Sequence, residues 1–143
     1  MPTVACPHCG TTNRVPEHRL TEHPRCGSCG AALFQGAPVA LTGANFERHL
    51  AAETPLLVDF WAAWCGPCRM MAPQFEAAAR TLEPKFRLGK LDTEAESALA
   101  ARFGIRGIPT MILFKSGREV ARTSGAMPSA QIEAWAASHA HAQ

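Results

Sequence analysis

The sequence lacks any long hydrophobic run and any large excess of charge of one sign. None of its 143 residues belong to a stretch approaching the roughly 20 consecutive apolar residues of a membrane-spanning helix, so we expect no membrane segment. The formal net charge of +2 is too small to indicate a surface for nucleic acid. A composition that is 47% hydrophobic and 18% charged is typical of a soluble globular protein.

The sequence also lacks a secretory signal and a glycine-rich nucleotide-binding motif. Residues 1–6 contain neither a basic start nor an apolar stretch, so we expect a cytoplasmic protein. Without a nucleotide-binding motif, we expect no organic cofactor. Six cysteines in a chain without an export signal indicate a reducing compartment, where they serve metal binding or catalysis rather than structural disulfides.

Two of the cysteines lie in a segment with the pattern of a redox centre, Trp64-Cys65-Gly66-Pro67-Cys68. The apolar run at 56–61 predicts a buried strand before it, and a helical pattern follows to about residue 82. The two thiols therefore fall on a strand-to-helix turn, where unpaired amide groups and the helix dipole favour a thiolate. Two cysteines at this spacing can close a disulfide with little backbone movement.

A Cys-x-x-Cys pair is also half of many zinc sites, and three features favour the redox interpretation here. Pro67 sets φ for the first helical turn. Trp64 places a large apolar face beside Cys65. The four other cysteines already make a complete metal site. We therefore predict that Cys65 and Cys68 form the redox pair.

Those four cysteines form two knuckles near the N-terminus, Cys6-Pro7-His8-Cys9 and Cys26-Gly27-Ser28-Cys29. Sixteen residues separate the knuckles, which is a spacing typical of a structural zinc site. Residues 1–34 contain few large apolar side chains, so a metal is the expected source of their stability. We predict a small zinc-ribbon-like domain over residues 1–34, with one structural Zn²⁺ bound by Cys6, Cys9, Cys26 and Cys29.

Two alternatives apply to this segment. The first knuckle has the pattern of a strongly oxidising dithiol, but no buried strand precedes it and no helical pattern follows it. His8, His18 and His23 are possible substitute ligands, although four thiolates already complete a site. Residues 35–38 have the glycine and proline content of a short linker.

Beyond the linker, residues 39–143 show alternating strand and helix patterns that end in a hairpin and a helix. We predict strands at 39–41, 56–61, 86–92, 110–114 and 119–124, and helices at 44–52, 68–82, 94–103 and 128–139. Pro73 lies inside the second helix and is expected to kink it. This order predicts an α/β fold, a central mixed sheet flanked by helices.

The segment at 59–68 resembles the active-site segment of the thioredoxins, Asp59-Phe60-Trp61-Ala62-Ala63-Trp64-Cys65-Gly66-Pro67-Cys68. Residues 104–110 resemble the loop that carries the cis-proline of that family, and residues 115–117 and 124–126 match two further glycine positions. With the cysteine-rich segment in front, the whole chain resembles the zinc-containing bacterial thioredoxins. The resemblance implies a thioredoxin fold and a role in electron transport as a protein-disulfide reductase.

Asp59 is the one ionisable residue in the first confident strand. An ionised carboxylate in an apolar strand is costly unless paired, so a raised pKa is expected. The functional hypothesis, which the resemblance favours, is that Asp59 accepts a proton from Cys68, and the alternative is a structural aspartate. By resemblance Lys90 is the partner that tunes Asp59, whereas the residues alone allow a solvated strand end.

The resemblance also implies a substrate-binding surface beside the dithiol. The family holds the bond between Ile108 and Pro109 cis, which leaves the Ile108 amide and carbonyl free to pair with an extended substrate. An apolar docking patch would be completed by Trp64, Gly66, Pro67, Gly125 and Ala126. Two departures from the family pattern are Ser124, where many members have an apolar residue, and Phe103, where many have tyrosine.

The function so predicted is thiol–disulfide exchange that reduces disulfides in cytoplasmic protein substrates. The resemblance implies regeneration by an NADPH-dependent thioredoxin reductase, and we expect a monomer. An oxidase or isomerase on the same fold is the nearest enzymatic alternative, and the Gly-Pro dipeptide between the thiols favours the reductant. The alternative from another class is a redox-sensing, zinc-binding recruitment module on a thioredoxin scaffold.

Overall fold

The computed structural model describes residues 1–140, which form a small N-terminal sheet and a larger mixed sheet. The small sheet is an antiparallel pair, β1 (Thr3–Ala5) and β2 (Thr12–Arg14), followed by a 3₁₀ turn at Glu17–Arg19. Its core is small and includes two of the cysteines: Val4, Cys6, Val15, Cys26 and Leu33. Such a core is too small to stabilise an independent domain without help.

The larger sheet contains five strands: β3 (Val39–Ala40), β4 (Leu56–Trp61), β5 (Arg87–Asp92), β6 (Thr110–Lys115) and β7 (Arg118–Ser124). Their order across the sheet is β3-β5-β4-β6-β7. Strands β3 and β4 run parallel to β5, whereas β6 runs antiparallel to both β4 and β7. The mixed sheet predicted from the sequence is therefore confirmed.

Four helices accompany this sheet: α1 (Phe46–Ala51), α2 (Gly66–Leu82), α3 (Ser97–Arg102) and α4 (Ser129–His139). Residues of α2 and α4 pack on one face around Leu57, and residues of α1 and α3 pack on the other around Phe60. Side chains alternate between the faces of a strand. Asp59 therefore shares the face of Leu57, on which the active-site helix α2 lies.

Three helix starts differ by two or more residues from the predicted ones. Helix α1 begins at Phe46 instead of 44, because Asn45 Oδ1 accepts the Thr42 amide and holds a turn before it. Helix α3 begins at Ser97 instead of 94, because the Glu94 and Ala95 amides donate to Asp92 Oδ1 at 2.9 and 3.3 Å. Helix α2 begins at Gly66, two residues before the predicted start.

Other boundaries agree closely with the pattern of the sequence. Strand β4 covers the predicted range, and α2 continues through Pro73 to Leu82. Ser116 and Gly117, with φ of 51° and 81°, form the two-residue turn of the β6–β7 hairpin. No helix within residues 1–140 combines the length and apolar character needed to span a bilayer.

Candidate active site and metal centre

Cys65 and Cys68 lie at the start of α2, directly after β4 and a short turn. Their sulfur atoms form a disulfide, with the two Cα atoms 5.2 Å apart. Cys65 is the N-cap of the helix, and its Sγ accepts the Cys68 amide at 3.2 Å. A helix start stabilises negative charge on sulfur, so this position favours a thiolate at Cys65 once the bond is reduced.

The dithiol packs against buried apolar side chains on its protein side and lies near exposed apolar side chains on its solvent side. Both cysteines are buried and pack with Ala62, Trp61 and Ile108. Trp64 is 68% exposed and Met70 is 73% exposed. The sequence motif indicates Trp64 but not Met70, because a methionine in a helix pattern usually belongs to the core. Large apolar side chains exposed beside a reactive pair are a feature of interaction sites.

The loop before β6 lies against the dithiol. The bond between Ile108 and Pro109 is cis, and Cys65 Sγ lies 3.7 Å from the Ile108 carbonyl oxygen. Within residues 1–140, neither the amide nor the carbonyl of Ile108 forms a hydrogen bond with another backbone group. Unpaired backbone groups beside an exposed apolar patch are suited to pairing with an extended peptide.

The end of β7 is tied to this loop. The Gly125 amide donates to the Pro109 carbonyl at 2.9 Å, and Gly125 has a φ of 103° that favours glycine. Ser124 Oγ lies 2.9 Å from Thr110 Oγ1, so its hydroxyl has a partner across the hairpin. Gly125 and Ala126 are exposed and lie next to the loop that contacts Cys65.

Asp59 lies buried in β4, with only 1% of its surface exposed. Neither of its carboxylate oxygens has a hydrogen-bond partner among residues 1–140. Burial raises the pKa of Asp59 to about 7, and the positive charge of Lys90 partly opposes that rise. A carboxyl group that titrates near neutral pH can both accept and return a proton.

The structure brings the four N-terminal cysteines together. The Sγ atoms of Cys6, Cys9, Cys26 and Cys29 all lie within 4.8 Å of one another. The Cys6–Cys29 and Cys9–Cys26 sulfur distances are 3.7 and 3.6 Å. A tetrahedral zinc ion with Zn–S bonds of about 2.3 Å places its sulfur ligands roughly 3.8 Å apart, so the cluster fits this metal.

Backbone amides point at the sulfurs as in a metal knuckle. The His8 and Cys9 amides donate to Cys6 Sγ at 3.3 and 3.4 Å, and the Ser28 amide donates to Cys26 Sγ at 3.4 Å. The Cys29 amide and the Asn13 side chain contribute to lowering the pKa of Cys26 to about 6, against the effect of burial. Four adjacent thiolates repel one another, and a bound cation removes that cost. His8, His18 and His23 are exposed and lie outside the cluster.

A disulfide-forming pair at a helix start, on a mixed sheet and beside the loop that carries the cis-proline, defines a thiol–disulfide oxidoreductase. Comparison with known proteins agrees with this class. The family profile described as Thioredoxin matches residues 37–138, and the profile described as Thioredoxin 2, N-terminal matches residues 5–31. The chain belongs to the thioredoxin family.

Individual relatives support the same conclusion. The chain is 44% identical over 133 residues to Thioredoxin C-3 from Corynebacterium nephridii, an alignment that covers 92% of this chain and 91% of that protein. It is 48% identical over 98 residues to a thioredoxin from Alicyclobacillus acidocaldarius subsp. acidocaldarius, covering 68% of this chain and 93% of the relative.

A solved structure agrees at the level of the fold. The Malassezia sympodialis thioredoxin superposes with a TM-score of 0.68 and 31% identity over 73% of this chain and 92% of that one. The protein is thus a protein-disulfide reductase with a thioredoxin fold and an N-terminal ribbon in which four cysteines suggest a metal site. Its family implies disulfide substrates and a reductase partner in general terms.

Proposed function

We propose that Cys65 is the attacking thiol and Cys68 the resolving thiol in the reduction of protein disulfides. The Cys65 thiolate attacks one sulfur of the substrate disulfide, forming a mixed disulfide and releasing one substrate thiolate. The Cys68 thiolate then attacks Cys65 Sγ, which closes the Cys65–Cys68 disulfide and releases the second substrate thiolate. The position of Cys65 as N-cap of α2 is the observation that carries this assignment.

In this proposal Asp59 takes the proton of Cys68 before the second attack. Its support is a buried carboxylate that has no hydrogen-bond partner among the residues that the structure describes, on the sheet face that α2 covers. Lys90 keeps the pKa of Asp59 from rising further, because its positive charge favours the carboxylate. Asp59 therefore accepts the proton and Lys90 sets the pKa of Asp59. Neither residue forms a bond with the substrate.

The proposed substrate site is the exposed surface around the dithiol. The Ile108 backbone would pair with an extended segment of the substrate, and Pro109 would hold that backbone in place. Apolar contacts would come from Trp64, Gly66, Pro67, Gly125 and Ala126. This surface is supported by the exposure of Trp64 and by the Ile108 backbone, which pairs with no other backbone group in residues 1–140.

For the N-terminal part, we propose one structural zinc ion bound by Cys6, Cys9, Cys26 and Cys29. The close sulfur distances and the amide donors support zinc, which would stabilise the fold of a segment with little apolar core. The proposed domains are 1–34 for the metal unit, 35–38 for the linker and 39–143 for the reductase. The two family profiles, which match residues 5–31 and 37–138, support a division into a metal unit and a reductase unit.

The protein would act as a cytoplasmic monomer that carries electrons from a reductase to its protein substrates. An NADPH-dependent thioredoxin reductase would return two electrons to the Cys65–Cys68 disulfide after each turnover. No organic cofactor is needed in this chain, because the cysteines carry the electrons themselves. Insulin is a suitable test substrate, since its interchain disulfides yield an insoluble product on reduction.

The test compares the wild type with Cys65→Ser and Cys68→Ser. Cys65→Ser is expected to abolish insulin reduction, and Cys68→Ser to accumulate a covalent complex with substrate that dithiothreitol releases. Trapping by Cys65→Ser instead would reverse the two roles. Metal analysis of the purified wild type is expected to give one zinc ion per chain, and replacement of Cys6 by serine should weaken its retention.

A further inference from the structure

Arg87 is a buried charged residue at the start of β5, in the main sheet. Its backbone amide donates to the Pro55 carbonyl, and its side chain is only 3% exposed. Burying a guanidinium group is costly unless its donors are satisfied. Here the side chain reaches out of the sheet and ends among residues of the N-terminal segment, where its partners lie.

One nitrogen of Arg87 joins the two ends of the cysteine-rich unit, which is the proposed metal unit of residues 1–34. Nη2 donates to the Ala5 carbonyl at 3.0 Å and to the Leu33 carbonyl at 2.7 Å. Ala5 directly precedes Cys6, and Leu33 lies four residues after Cys29. The chain therefore passes this nitrogen just before the first knuckle and again just after the second.

Two further contacts hold the guanidinium in this position. The guanidinium carbon, Cζ, lies 4.5 Å from the centroid of the Phe34 ring. Nη1 pairs with Glu83 Oε2 at 3.5 Å, and the Glu83 side chain is also 3% exposed. The other oxygen of Glu83 accepts the Gly36 amide at 2.9 Å. Arg87 thus binds the backbone of the segment that carries the metal ligands, and Glu83 binds the backbone of the linker that follows it.

The guanidinium also lies close to the first metal ligand. The Ala5 carbonyl that accepts from Nη2 belongs to the residue directly before Cys6. A zinc ion held by four thiolates carries net negative charge, which a buried cation nearby offsets.

We propose that Arg87 is a positioning residue for the metal centre, through which the reductase sheet fixes the two ends of the cysteine-rich unit. The inference rests on the metal site proposed above. Outer groups that orient metal ligands contribute strongly to affinity because they reduce the disorder of the free site. The geometry of Arg87 fits this role, since one planar group spans both ends of the unit.

The coupling works in both directions. If the sheet strengthens metal binding through Arg87, metal binding must stabilise the sheet by the same free energy. Tryptophan fluorescence can detect this effect separately, because all three tryptophans lie in the reductase part: Trp61, Trp64 and Trp135. A metal-dependent change in their unfolding transition would therefore come from the reductase part and not from the ribbon.

The test measures Zn²⁺ affinity of the full chain by competition with a chromophoric chelator. Arg87→Met is expected to weaken zinc binding about 10-fold or more. Arg87→Lys should give an intermediate loss, because it keeps the charge and loses the forked geometry. Arg48→Met is the matched control. Arg48 also donates to a carbonyl of the unit, that of Cys9 at 3.3 Å, but it is exposed, so its loss should change affinity less than about 3-fold.

The second measurement is the denaturant midpoint of tryptophan fluorescence with and without chelator. Chelation should lower the midpoint of the wild type, and this shift should be much smaller in Arg87→Met. The wild-type shift alone keeps the proposal testable if Arg87→Met does not fold. A wild type that binds no zinc overturns the metal site. A wild type that binds zinc, but with an unshifted midpoint or with unchanged affinity in a folded Arg87→Met, overturns the role of Arg87 alone.

Discussion

Asp59 lies directly opposite Lys90 in the parallel register of β4 and β5, yet the two side chains form no ion pair within residues 1–140. Lys90 Nζ lies over the Trp61 ring instead, 4.7 Å from its centroid. In the described part of the chain, the Asp59 carboxylate has no hydrogen-bond partner. Lys90 therefore influences Asp59 through its field and not through a bond, which keeps Asp59 available to accept a proton.

Replacing Lys90 with methionine is expected to raise the pKa of Asp59 above its value of about 7, because the charge of Lys90 favours the carboxylate. Nuclear magnetic resonance titration of the Asp59 carboxyl carbon measures this directly. Lys85→Met, at an exposed position, serves as the control and should leave the titration unchanged. An unaltered midpoint in Lys90→Met would show that the register pairing has no electrostatic consequence.

Replacing Asp59 with asparagine is expected to slow resolution of the mixed disulfide by about 100-fold at neutral pH, the usual scale for loss of a general base. The initial attack by Cys65 should change much less, because Asp59 acts on Cys68. Acid-quenched single-turnover reactions with a disulfide-bonded peptide separate the two steps. Glu76→Gln, exposed on α2, is the matched control. Equal slowing of both steps would argue against the assigned role.

The pH dependence of stability is expected to contain two opposing contributions. The pKa of Asp59 is raised from 3.8 to about 7, so the folded state binds the extra proton and its stability falls as pH rises through that interval. Asp59→Asn removes the free-energy cost of an ionised carboxylate in the core. The substitution should add roughly 2–4 kcal/mol to the free energy of unfolding at and above neutral pH, but little near pH 4.

His49 acts in the opposite sense. Burial, and secondly the charge of Arg87, lower its pKa from 6.5 to about 4. The unfolded chain then binds the extra proton, and stability falls as pH drops from about 6.5 towards 4. His49→Gln should remove this acid sensitivity, seen as a flatter dependence of the urea midpoint on pH. A wild type and His49→Gln with parallel profiles would contradict the assignment.

A chain of residues 37–143 is expected to reduce insulin at a rate within about 3-fold of the full chain, because every residue packed with the dithiol lies after residue 60. Its unfolding midpoint should be lower, because Arg87 and Glu83 lose the partners that the N-terminal segment supplies. Insulin turbidity and urea unfolding measure the two properties. Loss of activity in a folded truncated chain would show that the ribbon contributes to the site.

Elements that are marked by a local pattern of residues could be predicted from the sequence. Strand β4 is apolar throughout and has the bounds that its pattern predicts. The dithiol follows from its position between that strand and a helix, and the cluster of four cysteines from their spacing. Helix starts were less predictable, because single hydrogen bonds such as those to Asp92 Oδ1 decide where α3 begins.

The role of Arg87 was not predictable from the sequence. An arginine at the start of a strand is usually a solvated end, and nothing in its neighbours indicates a buried one. Its partners are backbone carbonyls, which every residue has, so no motif marks them. The exposure of Met70 was missed for a related reason, since helical spacing does not show which side of α2 is left uncovered at its first turn.

The contacts of Arg87 also set an order of events during synthesis of the protein. Its two carbonyl partners precede it by 82 and 54 positions along the chain. When the cysteine-rich segment leaves the ribosome, the residue that joins its ends has yet to be translated. The cysteine-rich segment must therefore wait for the middle of the chain before it can dock, and its four thiols are open to metal or oxidant throughout that interval.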